Sequence, residues 1–285
     1  MPEQPIGRES DLQELLDWYL SSWGPVDWTA AREVSGLGVD PELGRMLLAL
    51  SMIEADSQVM RRKLAASGAD RSPELLEFIA VWLAEEGEHS RALKHLARNY
   101  GTTDLAIDER RWSRDVRAFI TWPSLYLGRR IPGLKAAYCT LGAMQELVAL
   151  TTYNHLAQRC DTPPVSLVLR AIAKQESRHM RFYRTAADIF LGASPAAQRT
   201  TRVLISKLWR PPGMDLIGKG WYEEIFGPIL RDPQYTSALL RVDRIVSALP
   251  GIGSIGVMRE YLGTHGFPVP LAAVAQREVQ GASEW

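Results

Sequence analysis

The sequence predicts an all-α protein built around a four-helix bundle, in which two helical hairpins are joined by one long crossover, with extra helices at both ends. Two observations carry that expectation. Apolar residues recur at intervals of three and four over long windows, and few stretches show the two-residue alternation of a strand. Proline, glycine and small polar clusters then cut the chain into windows long enough to cross a bundle.

An opening helix is expected from Asp11 to Trp23, ending at the irregular Ser22-Trp23-Gly24-Pro25-Val26-Asp27-Trp28 segment. Pro41, suited to a first turn, opens a long helix to about Ala66, which the Ser67-Gly68-Ala69-Asp70-Arg71-Ser72 cluster stops. Pro73 opens the second long helix, which runs to Tyr100 and is closed by Gly101. Residues 102–132 form the long connection, with helical content at about Arg110 to Leu127. Gly133 begins a third helix to about Arg159; after the Asp161-Thr162-Pro163-Pro164 turn a fourth occupies Val165 to about Phe190. Breaks at Pro211-Pro212-Gly213 and Pro250-Gly251 divide the tail into shorter helices. The pattern is that of a ferritin-like bundle with one long connection. It reads as one domain over residues 1–285, with a core bundle at about 41–190 and a helical extension at about 195–285.

Composition narrows the function. A chain of 285 residues with 46% hydrophobic residues can bury a sizeable core. Lysine plus arginine equals aspartate plus glutamate at 33 each, so the field that draws proteins onto nucleic acid or acidic membranes is missing. No apolar run approaches the roughly 20 residues of a membrane span, and the opening residues lack a basic-then-apolar leader, so a cytoplasmic protein is expected. Cys139 and Cys160 have no partner at a metal-binding spacing and read as reduced packing residues.

The chemistry lies in two segments, Glu86-Gly87-Glu88-His89 and Glu176-Ser177-Arg178-His179, each in the middle of a long helix. At a spacing of three, carboxylate and imidazole share one helix face and can converge on one cation. This oxygen and nitrogen mixture suits iron or manganese. The other two long helices each contribute one glutamate at a comparable depth. Glu54 lies 12 residues before Ala66 and Glu86 lies 13 after Pro73; Glu146 lies 13 before Arg159 and Glu176 lies 12 after Pro164. The glutamates also stand on apolar stripes: Ile79, Leu83, Glu86, His89, Leu93 and Leu96 on one helix, and Leu169, Ile172, Glu176, His179 and Tyr183 on another. Four carboxylates buried without compensation would cost several kcal/mol each, so a pair of cations is expected among Glu54, Glu86, His89, Glu146, Glu176 and His179. His95, His155 and His265 read as surface or packing histidines, and Glu85 and Glu88 as solvated neighbours that could support the site from outside.

These residues resemble those of the soluble acyl-acyl carrier protein desaturases within the ferritin-like diiron superfamily. Trp82-Leu83-Ala84-Glu85-Glu86-Gly87-Glu88-His89 is similar to that family's W-x-A-E-E-x-x-H segment, Gln145-Glu146 to its third-helix Q-E, Ile172 to His179 to its I-A-x-D-E-x-R-H, and Trp23 to Asp27 to its early W-x-P-x-D. The resemblance implies that Glu86 and Glu176 bridge two iron ions, with manganese an alternative, that Glu54 and Glu146 are terminal ligands, and that His89 and His179 complete one ion each. It further implies O2 as co-substrate, electrons from a ferredoxin, an acyl chain on an acyl carrier protein as substrate, and a homodimer. Basic groups for an acidic carrier are expected at Arg61-Arg62-Lys63 and at Arg110, Arg111 and Arg114, and the substrate slot near Gly142, Ala143 and Met144. Two positions depart from the family's plant members: Ala149 stands where they have threonine, and Gln175 where they have aspartate. The departures favour an alternative in the same fold, a diiron oxygenase or hydroxylase of specialised metabolism. Ile172 occupies the place of the additional histidine of N-oxygenases.

Overall fold

The computed structural model of the protein describes residues 8–22, 24, 26, 28–38, 40–57, 67–105, 131 and 133–270. Among these every regular element is helical, as the periodicity predicts. The opening helix α1 spans Arg8–Ser21, and a short α2, Thr29–Glu33, follows it. The four long helices are α3 (Pro41–Ala55), α4 (Pro73–Asn99), α5 (Leu134–Arg159) and α6 (Pro163–Gly192). Their starts use ordinary capping chemistry. Asp40 accepts from the Leu43 N–H and Ser72 from the Leu75 N–H, each followed by proline at the first helical position, while Gly133 precedes α5 with a left-handed φ of 88°. The tail folds into α7 (Pro195–Leu208), α8 (Met214–Ile217), α9 (Lys219–Leu230), α10 (Pro233–Leu239), α11 (Arg241–Ser247) and α12 (Val257–Thr264).

Two antiparallel hairpins make the bundle. In the first, α3 packs on α4, and Ser51 and Ser90 exchange hydroxyl-to-carbonyl bonds of 3.0 and 2.9 Å. In the second, α5 packs on α6, closest at Gly142, where an added Cβ would stand 2.6 Å from the Tyr183 ring. Helix α1 lies across α6 and α4, and α7 returns along α5. Between the hairpins the core is aromatic: Phe78 and Phe182 stack with ring centroids 3.7 Å apart, flanked by Tyr19 and Tyr183.

Helix α3 differs from expectation, ending at Ala55 rather than near Ala66; Asp56 and Ser57 form a turn whose N–H groups return to the carbonyls of Met52, Ile53 and Glu54. The depth count from Ala66 therefore loses its reference point. Glu54 occupies the last turn of α3, where the helix dipole disfavours a carboxylate, so its placement answers to something other than helix stability. The expected helix at Arg110 to Leu127, the basic groups at 61–63 and 110–114, and the Trp23, Pro25 and Asp27 positions lie outside the described residues. Cys139 is buried and Cys160 half-buried, both unpaired.

Candidate metal centre

All six expected side chains come together in the middle of the bundle, and all are buried. They form two overlapping groups. Glu54, Glu86, His89 and Glu176 each offer an atom within 4.8 Å of the others, and so do Glu86, Glu146, Glu176 and His179. Each group takes three side chains from one hairpin and borrows one carboxylate from the other: Glu176 joins the first group, Glu86 the second. Both imidazoles turn Nδ1 inward. His89 Nδ1 lies 3.0 Å from Glu176 and 3.6 Å from Glu86; His179 Nδ1 lies 3.1 Å from Glu86 and 3.2 Å from Glu176.

A cavity of about 210 Å³ reaches the carboxylate side of the cluster. Glu54, Glu86 and Glu146 line its floor, Leu141, Gln145 and Ala149 one wall, and the segment from Trp209 to Gly213 another. The residues expected near a slot, Gly142, Ala143 and Met144, do not line this cavity. Gly142 is filled by Tyr183 and Met144 is wholly buried, so the face of α5 one position away lines the opening. Thr151 and Thr152, the hydroxyls nearest Ala149 along the chain, bond to the carbonyls of Leu147 and Val148.

The electrostatics call for cations. Burial, followed by the charges of Glu86 and Glu176, holds the Glu54 and Glu146 carboxyls well above the ordinary carboxylate range. Burial also opposes charge on Glu86 and Glu176, but donors from Glu54 and the two histidines hold Glu86 low, and the histidines hold Glu176 low. Burial disfavours the charged His89, yet Glu176 and Glu86 outweigh it and raise the imidazole to about 10. His179 is likewise raised, against burial, by Tyr19, Glu176, Glu85 and Glu86. Protons thus stand where cations would. Glu86 Oε1, Glu176 Oε1 and His89 Nδ1 still lack a properly aligned hydrogen bond, although His89 Nδ1 and Glu176 Oε1 are close enough for one. Four carboxylates match the charge of two divalent ions, and the mixed oxygen and nitrogen donor set fits a metal site.

Around this cluster stand further residues, of which sequence reasoning missed the roles of Tyr153 and the Trp82 indole N–H. Tyr153 donates its hydroxyl to Glu54 Oε1, and Trp82 Nε1 donates to Glu146 Oε1 across 3.1 Å. Glu85 is not solvated but takes the other of its two expected places, supporting the site from outside: it is 5% exposed and accepts from Tyr19 Oη at 2.6 Å, His179 Nε2 at 2.8 Å, Arg178 Nη1 at 3.0 Å and Gln175 Nε2 at 3.1 Å. Burial raises its carboxyl, but His179 above all, then Tyr19 and Arg178, bring it down to about 2. The signal was present, since Phe78, Trp82, Glu85, His89, Ala92 and Leu96 form a second buried stripe on α4 at helical spacing. Glu88 behaves as expected, half-buried and paired with Arg91 at 2.6 Å. His155 is buried beside Asp232, His95 meets the Val34 carbonyl and His265 that of Tyr261, all away from the cluster.

A helical bundle carrying a buried set of carboxylates and histidines defines the class: an all-α protein consistent with the ferritin-like architecture, with a cluster at its centre whose donors fit a metal site. The particular family follows from comparison. A family model described as fatty acid desaturase matches residues 58–215, more than half the chain, and the chain belongs to that family. Five of the six clustered residues fall inside the match, and Glu54 lies four positions before it. No curated protein and no solved structure matched the chain. Among the described residues no helix is long and apolar enough to cross a membrane.

Proposed function

We propose that the protein is a cytoplasmic, O2-dependent diiron desaturase that introduces a double bond into an acyl chain carried on an acyl carrier protein, with electrons from a ferredoxin. One observation carries the reading: two buried groups of four side chains share Glu86 and Glu176 and open on a cavity, in a chain of the fatty acid desaturase family. On this reading Glu86 and Glu176, common to both groups, would be shared by two iron ions, with Glu54 and His89 holding one and Glu146 and His179 the other. Such a pair, reduced and supplied with O2, provides an oxidant strong enough to remove hydrogen from an unactivated C–H bond. The remaining work belongs to the chain. Leu141, Ala149 and Leu216 give the cavity apolar surface to hold a hydrocarbon segment beside the carboxylates. Tyr153 and Trp82 hold the two terminal glutamates in place, and the aromatic layer of Phe78, Phe182 and Tyr183 keeps water from the bundle interior. Family members of this kind pair through their long helices, and a homodimer belongs to the proposal.

A second reading, an oxygenase or hydroxylase on the same centre, draws on Ala149 and Gln175. With Ala149 facing the cavity and the Thr151 and Thr152 hydroxyls bonded to helix carbonyls, the oxygen-handling side lacks a threonine from α5. The experiment is mass spectrometry of acyl carrier proteins after incubation with iron-loaded protein, ferredoxin, reductant and O2. Loss of two hydrogens supports desaturation. Gain of an oxygen atom overturns it in favour of the second reading.

A further inference from the structure

One buried carboxylate orients both imidazoles of the cluster by two different routes. Glu85 receives hydrogen bonds from Tyr19, His179, Arg178 and Gln175, so both of its oxygens act as acceptors and the group is held ionised. His179 donates Nε2–H directly to that carboxylate at 2.8 Å. His89 does not reach it. Because Glu85 accepts the Gln175 amide NH2 at 3.1 Å, the amide oxygen of Gln175 must face the other way, and it receives His89 Nε2–H at 2.7 Å. Both imidazoles are thereby fixed with a proton on Nε2, so that Nδ1, which faces the carboxylates, is the atom that would exchange its proton for a metal ion. A charged acceptor makes an imidazole a stronger donor to a metal than a neutral amide does. The two halves of the centre, alike in their four nearest side chains, are unlike one shell out.

Resting on the dimetal reading above, we propose that Glu85 and Gln175 are positioning residues that make the two halves unequal, so that the half containing Glu146 and His179 binds its ion first and more tightly than the half containing Glu54 and His89.

The test uses the full chain stripped by a chelator and titrated anaerobically with Co(II), followed by calorimetry and visible absorption, with circular dichroism to verify folding. The natural sequence should show two steps separated by about 10- to 100-fold in affinity, the range typical for loss of an outer partner of a metal-bound histidine. Glu85→Gln should weaken the tight step and bring the two together. Gln175→Leu should weaken the loose step and spread them apart. A merely structural disturbance would move both variants in the same direction. Glu146→Gln should abolish the tight step and Glu54→Gln the loose one, which identifies the halves. Two indistinguishable steps in the natural sequence, an unchanged tight step in Glu85→Gln, or loss of the tight step in Glu54→Gln would each overturn the proposal. Absence of any Co(II) binding would remove the metal reading with it. An oxygenated product in the mass experiment would change the reaction and leave the inequality standing.

Discussion

Trp82 Nε1 donates to Glu146 Oε1 across 3.1 Å, tying the middle of α4 to the middle of α5. The bond runs between hairpins, and both residues line the cavity. Trp82→Phe keeps an aromatic ring and removes the donor. A buried hydrogen bond to a charged acceptor contributes about 1.5–3 kcal/mol, so the expected result is roughly tenfold or greater weakening of metal binding, read by calorimetry. Unchanged affinity would mean that Glu146 is positioned by its helix alone.

The protein stripped of metal should lose stability toward alkaline pH. His89 has a folded pKa of about 10 against an ordinary 6.5, so its contribution is fully present below 6.5 and disappears as pH rises through about 10. Glu54 and Glu146, raised above their ordinary 4.5, act in the same direction, whereas Glu86 and Glu176, held low, lose their contribution only in acid. Melting temperature of the chelator-treated protein should fall between pH 6.5 and 10, and metal loading should flatten the decline by replacing those protons. A flat curve for the stripped protein contradicts the assignment.

Gly142 is required by the closeness of α5 and α6. Replacing a mid-helix glycine by alanine ordinarily gains about 1 kcal/mol. Here the new Cβ would stand 2.6 Å from the buried Tyr183 ring, and overpacking of this kind costs about 1–3 kcal/mol. Gly142→Ala is expected to lower the melting temperature; a rise would show that the ring can yield.

The cavity wall at Ala149 offers a direct test of access. Ala149→Phe projects a ring into a space of about 210 Å³ and replaces none of the six clustered side chains. Metal content should stay the same while turnover of long acyl substrates falls at least about tenfold, equivalent to ~1.4 kcal/mol in the barrier. Retained turnover would place the substrate elsewhere.

Much of this arrangement can be read in the sequence because it rests on short-range rules. The spacing of Glu86 with His89 and of Glu176 with His179 fixes a shared helix face, and proline and glycine mark where α4, α5 and α6 begin. Glu85 could be read only as a solvated neighbour or an outer support, because adjacent residues on a helix diverge by about 100° and a stripe drawn through Glu86 leaves it outside, although a second stripe through Trp82 and His89 contains it. Which face of α5 borders open space was beyond reach, because that depends on Tyr183 filling the place beside Gly142 from another helix. Tyr153 and Trp82 were equally hidden, since a buried aromatic residue reads as core until its polar atom is seen to face a carboxylate.

The reciprocal borrowing of Glu176 and Glu86 carries a consequence for ancestry. Each hairpin repeats one formula, a glutamate on its first helix and a glutamate with a histidine three residues later on its second, the second glutamate coming 32 positions after the first in one and 30 in the other. A hairpin of that formula is three-quarters of a four-residue group and lacks only the carboxylate that an identical neighbour would lend. Two copies side by side would complete each other, so duplication of a single hairpin and fusion through the long crossover is a sufficient origin for the bundle. Glu85 and Gln175, each directly before the glutamate of its pair, are where the two hairpins differ.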